Sequence, residues 1–195
     1  MTKNERIVLG SGKLYGMEFD GTVPDVAEIC VEENRMGYIS GGCTLEYKPT
    51  RYEAKDDLGY VVKTILTEEE VTMKSGIMTF DGNTIAKLCE TGRVTETETE
   101  RIVLIGGVAN RTGKKYLLCF HHEDAVDGDI WVLIVGQNQS GFSLAFAKDK
   151  ETVIDAEFKA LPDIDKEGTL IKYIEEVKSG AASGEPEEET GEETT

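Results

Sequence analysis

Chemistry in this chain, if there is any, has to start from His121, His122, Glu123 and Asp124, four consecutive side chains able to hold protons or a metal. On a strand, adjacent side chains point to opposite faces, so the two imidazoles cannot readily share one ion. The sequence holds 2 histidines in all, so a third imidazole for a zinc set is missing. A strand end entering a turn accounts for the cluster better than a metal centre does. Nucleophilic catalysis needs a Ser or Cys with a base and a group to orient it, and no GxSxG elbow occurs. The LGSGK segment at 9–13 lacks the spacer and the following Ser or Thr of a phosphate-binding loop, and reads as a flexible N-terminal arm. The acidic runs Lys55-Asp56-Asp57 and 163–165 do not have calcium-loop spacing. Trp131 sits inside IWVLIV and is expected in the core rather than as a sugar platform. The 4 cysteines, Cys30, Cys43, Cys89 and Cys119, form no CxxC pair and read as small, reduced core residues. The expectation is a protein with no catalytic residue, no metal and no cofactor.

The totals restrict the partners. A length of 195 residues with 39% hydrophobic content suffices for a real core. There are 38 acidic against 21 basic side chains, for a net charge of -17. Nucleic-acid affinity comes from neutralising phosphates, so such a chain would repel DNA. The N-terminus lacks the apolar run of a signal peptide and no stretch approaches the length of a bilayer span, so the expected place of synthesis is the cytoplasm, with no membrane partner. From 179 onward the sequence SGAASGEPEEETGEETT has no large apolar side chain, and nothing in it can offset the entropy of ordering. The organisation expected is a β domain over 1–178, with an arm at 1–12, followed by a disordered acidic tail at 179–195.

Positioning is the work of strands. Segment 68–93 changes period: Val71, Met73, Ile77 and Thr79 alternate as a strand face, and Asp81-Gly82-Asn83 breaks the pattern. A short helix then carries Ile85, Leu88 and Cys89, capped by Asn83 or Thr84 and stopped at Gly92. Segments 13–19 and 26–33 read as strands. From Tyr38, the residues Ile39, Cys43, Leu45 and Tyr47 share one face, while Ser40, Thr44, Glu46 and Lys48 share the other. Pro49 ends this strand, 50–59 reads as a long polar loop placed for contact, and 60–66 returns as a strand. A strand or extended arm exposed on at least one edge is expected at 95–100, and further strands at 102–105 running inward and at 115–122. The apolar run 130–135 reads as covered on both faces, and 142–148, 152–160 and 169–173 complete the set. In 152–160, Ile154, Ala156 and Phe158 oppose Val153, Asp155, Glu157 and Lys159. Many antiparallel strands mean many sheet edges, which native proteins hide or use.

The segments MGYISGGCTLEYKPTRYEAKDDLGYVVKTILTEEEVTMKSGIMTFDGNTIAKL, GFSLAFAKDKETVIDAEFKALPD and GTLIKY together resemble the major tail tube proteins of long-tailed bacteriophages and related phage-tail-like particles. The resemblance runs from about Leu9 to Glu176. It implies two packed antiparallel sheets, a β-sandwich or partial barrel, with one short flanking helix. Hexameric rings of such subunits stack into a tube, and four strands from each line the bore as a closed barrel of about 24 strands, roughly 45 to 50 Å across at the backbone. It implies a structural virion protein whose partners are copies of itself, a tape measure protein, and tail terminator and initiator proteins, with DNA passing through unbound. On this reading Ser40, Thr44 and Glu46 face the bore, with 130–148 as a weaker second lining hairpin. Arg51, Tyr52, Glu53, Lys55, Asp56 and Asp57 reach the next ring, and Asp155 and Glu157 add subunit contacts. The competing expectation is an acidic β-sandwich module that recognises a carbohydrate or protein ligand through exposed loops, using Trp131 or Tyr52.

Overall fold

The computed structural model describes residues 7–178; the expected acidic tail and the first half of the expected N-terminal arm lie outside them. The described chain is mainly β, with two antiparallel sheets and few helices. The strands are β1 (Lys13–Glu18), β2 (Ile39–Lys55), β3 (Val61–Ile77), β4 (Arg93–Glu96), β5 (Arg101–Leu104), β6 (Tyr116–His122), β7 (Ile130–Asn138), β8 (Ile154–Ala160) and β9 (Lys172–Glu175). Seven of them form one sheet in the order β1-β6-β7-β8-β3-β2, with β9 also paired to β7. Strands β4 and β5 form a separate hairpin beside the second helix.

Alternation explains where the cores sit. Leu14, Leu118 and Ile134, on one face of β1, β6 and β7, pack with Val71, Met73, Ile77, Ile154, Ala156 and Phe158 of β3 and β8. The large sheet therefore covers itself, its first half packing on its second half rather than on the small sheet. The opposite face of β1, β6 and β7 carries Tyr15, Leu117, Cys119, Leu133 and Val135, closed by Ile29 of α1 (Val26–Ile29). The run at 130–135 is thus covered on both sides, as its unbroken apolar character requires.

Several segments depart from the alternation read in the sequence. Segment 26–33 is not a strand: it forms α1 and a 3-10 turn at Glu32–Asn34. Val26, Ile29 and Cys30 stand three and four apart, so a helical turn lays all three on the same apolar patch, and burial overrides β-propensity. Segment 142–148 is irregular; Phe142 and Leu144 reach the core, but Phe146 is 82% exposed. The strand at 102–105 does not run inward, because β5 is mostly exposed and pairs with β4. The arm at 9–13 is not loose at its C-terminal end, where the Ser11 carbonyl meets His122 Nδ1 at 2.7 Å and a Cβ on Gly12 would lie 2.2 Å from the His121 carbonyl.

The second helix, α2 (Gly82–Lys87), is capped by Asp81 rather than by Asn83 or Thr84. The Asp81 carboxylate accepts hydrogen bonds from the Thr84 backbone N–H at 2.9 Å and from Arg101 of β5, so it joins α2 to the small sheet. Partial burial works against the charge, but the Thr84 hydrogen bonds and Arg101 outweigh it and hold the carboxyl below its usual range. A carboxyl depressed in the folded state stabilises the fold above its unfolded value near pH 4, and that contribution is lost as pH falls through the lower folded value. Asp81→Ala is expected to cost about 1 kcal/mol at pH 7. The difference from the parent should shrink in urea titrations run at progressively lower pH below about 4.

Candidate functional site

Strands β2 and β3 are each 17 residues long. Pro49 does not end β2: it lies opposite Glu69 in the ladder. A proline costs a strand only the hydrogen bond its N–H would have donated, and among the described residues β2 is the outer strand of the sheet, with one side unpaired. The expected loop at 50–59 is therefore mostly ladder. Arg51, Tyr52, Glu53 and Lys55 are strand residues, and only 56–60 turns. A register shift after Thr50 places Arg51 opposite Leu66 and leaves Thr67 as the extra residue.

Inside the sheet, direct pairing fixes the two faces of this hairpin. Cys43, Leu45 and Tyr47 oppose Ser75, Met73 and Val71, so they lie on the core face. Thr44, Glu46 and Lys48 oppose Lys74, Thr72 and Glu70 on the outer face. Strand β8 continues that outer face, because Lys74 lies opposite Glu157, Gly76 opposite Asp155, and Thr72 opposite Lys159. Gln137 at the end of β7, opposite Lys159, adds a fourth strand. The structure thus brings Ser40, Thr44 and Glu46 together with Asp155 and Glu157 on one polar surface, although the two groups were expected in different roles. A shallow groove of about 400 Å³ runs between Thr44, Lys74 and Asp155. Segment 130–148 does not supply a second lining hairpin, since most of β7 is covered on both faces and 142–148 is not a strand.

The charges on this surface are largely matched. Lys48 Nζ is 3.0 Å from Glu46, Lys74 Nζ is 3.3 Å from Glu157, and Lys159 Nζ is 2.6 Å from Glu70. Its hydrogen bond with Lys159 lowers the Glu70 carboxyl below the usual range, and the same contact raises Lys159. Four carboxylates, Glu46, Glu70, Asp155 and Glu157, face three lysines, so the surface is slightly acidic and carries no arginine fork for phosphate. Sequence reasoning did not single out Glu70, Thr72 and Lys74. Their alternation with Val71 and Met73 was legible, but the register that sets them between Glu46 and Glu157 was not.

Beyond Glu70 the hairpin leaves the sheet. Strand β3 pairs with β8 only along 72–77, so 48–55 and 61–70 form a two-stranded arm that extends about 25 Å from the body. Asp56 shapes its tip: its side chain accepts hydrogen bonds from the backbone N–H of Leu58 and Tyr60, and Gly59 takes a positive φ of 86°. Asp56 is therefore a turn-forming residue as well as a contact candidate. The arm exposes large apolar side chains, with Tyr52 at 60%, Leu58 at 81%, Tyr60 at 69% and Val62 at 72%. Its outer part, 51–67, is also electrically balanced, Arg51, Lys55 and Lys63 against Glu53, Asp56 and Asp57, in a protein of net charge -17.

The histidines do opposite jobs, as adjacent strand residues must. His121 stacks on Trp131, ring centroids 5.0 Å apart and planes at 13°, and its Nε2 is 2.8 Å from Asp129. His122 turns the other way, to Ser11. Trp131 is thus a packing residue with one ring face already occupied. Asp129 also accepts the Asp124 backbone N–H, and that hydrogen bond with the one from His121 lowers its carboxyl. Among the described residues no group of three potential metal ligands occurs, and no helix is long and apolar enough to cross a membrane. No family model matches the chain, and no curated protein matches it.

Proposed function

We propose that the protein is a structural subunit that polymerises as stacked hexameric rings into a phage-type tail tube, a conduit for DNA. The observation that carries this reading is the freestanding arm of β2 and β3 beside a 17-residue strand edge that is unpaired among the described residues. A lone two-stranded hairpin is marginal in water, and one that exposes Tyr52, Leu58, Tyr60, Val61, Val62, Ile65 and Leu66 needs a partner surface. The balanced charge of its outer part, 51–67, lets one acidic copy approach another without strong repulsion. The free edge of β2 is the natural place for a neighbouring subunit to continue the sheet around a ring.

In such a ring the four-strand surface with Ser40, Thr44, Glu46, Asp155 and Glu157 faces the hollow axis, while Tyr52, Leu58 and Tyr60 reach the next ring. Passing DNA meets paired lysines and a surplus of carboxylate, so phosphate gains little by lingering. The protein performs no catalysis in this role. Its further partners are the tape measure, terminator and initiator proteins of a tail, and its place is the virion. The occupied face of Trp131 gives the carbohydrate-recognition reading no support.

Negative-stain microscopy of concentrated protein should show rings or tubes with a central hole. A strict monomer at high concentration, even with tail initiators added, would overturn the proposal. Glu46→Lys removes a carboxylate and releases Lys48 from its pair, adding two positive charges to the surface of every subunit. Rings should still form, and DNA passage should slow several-fold at low salt. Unchanged ejection kinetics would mean that Glu46 does not face the axis.

A further inference from the structure

The second core contains two thiols that nothing in the assembly uses. Cys119 is fully buried on β6, and Cys30, half-buried, is the C-cap of α1; their Sγ atoms are 3.9 Å apart. We propose that Cys30 and Cys119 are an oxidative modification site, at which a small-molecule disulfide converts the two thiols into a cross-link between α1 and β6.

The reach is short. A disulfide needs the sulfurs at about 2 Å, so they must close by roughly 2 Å. Cys119 is fixed in the ladder opposite Tyr15 and Leu133. Cys30 ends a helix of four residues and is followed by exposed Val31, so the movement falls on the end of α1 and leaves the sheet intact. Cys43 packs in the other core and Cys89 follows α2, so neither is placed to compete.

The chemistry balances as thiol–disulfide exchange. The Cys30 thiolate attacks one sulfur of the small disulfide, forming a mixed disulfide and expelling one thiolate. The Cys119 thiolate then attacks Cys30 Sγ and expels the second. Two S–H bonds are lost, one S–S bond forms in the protein, and the small disulfide is reduced to two thiols that carry away the protons. Burial raises both thiols above their ordinary range, so the exchange is slow at neutral pH and quickens as pH rises. A reducing compartment keeps the pair open, and transfer to an oxidising medium closes it. The site stands whether or not the protein forms tubes.

The test treats reduced full-length protein with oxidised glutathione at pH 7 and pH 9, followed by intact mass, tryptic mapping and thermal melting. The expected product is lighter by about 2 Da, free of glutathione, and linked through the peptides that contain Cys30 and Cys119. The linked positions lie 89 residues apart and close a loop that holds β2 and β3, so the melting temperature should rise by about 10 °C, and the product should form faster at pH 9. Cys30→Ser, at a half-exposed helix end, should fold normally and show neither the mass loss nor the shift. A persistent glutathione adduct, a link to Cys43 or Cys89, no reaction at pH 9, or a link formed only after unfolding would each overturn the assignment.

Discussion

Excising 51–67 and joining Thr50 to Glu68 through Asn-Gly should leave a folded protein that cannot form the proposed tubes. Thr50 and Glu68 are a direct ladder pair, so a two-residue turn can close the shortened hairpin without disturbing the strands below it. The excised residues contribute nothing to either core, and the melting temperature should stay within a few degrees of the parent. Assembly is where the loss should appear. Removing Tyr52, Leu58, Tyr60, Val61, Val62, Ile65 and Leu66 takes away the exposed apolar side chains of the arm, and stacking of rings should fall about a hundredfold, as side-chain deletions at interface centres do. Light scattering and microscopy check it: single rings or monomers are expected, and tubes of ordinary length would rule out the arm as the inter-ring contact.

The deletion also separates two roles that the sequence ran together. A polar loop at 50–59 before a strand at 60–66 reads as a long contact loop, whereas the structure has a ladder with a tight Asp56-centred turn. The sequence misled at Pro49, because a proline ends a strand only where its N–H is needed, and whether a strand lies at the edge of a sheet is decided by distant segments. Strict alternation was legible wherever one face met water. Ile154, Ala156 and Phe158 against Asp155, Glu157 and Lys159 came out as expected, and so did Cys43 and Leu45 against Thr44 and Glu46. Pattern failed at 26–33 and 142–148, where strand-like composition is spent on a helical turn and an irregular cover over the cores. The candidate surface was half visible: each strand showed which side chains share a face. Only long-range pairing could show that the outer faces of β2 and β8 are joined through β3.

That joining depends on one side chain more than on any other. Phe158 is the largest of the fully buried residues, and it lies where β8 passes from β3 to β7, opposite Met73 on one side and Asn138 on the other. Asn138 is pinned in turn by hydrogen bonds to the carbonyls of Leu88, at 3.0 Å, and Gly141, at 2.6 Å, so little can collapse into the space a smaller residue would leave. Phe158→Ala should therefore cost about 3–5 kcal/mol, a large share of the roughly 5–15 kcal/mol that holds a domain together. Urea denaturation should show the loss as a lower midpoint with an unchanged slope, and the melting temperature should fall by about 10 °C. Lys159→Ala, one residue along and on the outer face, removes only an exposed ion pair with Glu70 and should cost under about 1 kcal/mol. If the two substitutions cost the same, β8 is not anchored through Phe158. The polar surface carrying Asp155, Glu157 and Lys159 would then have to be held from β3 alone, where β8 keeps only the pairs from 72 to 77.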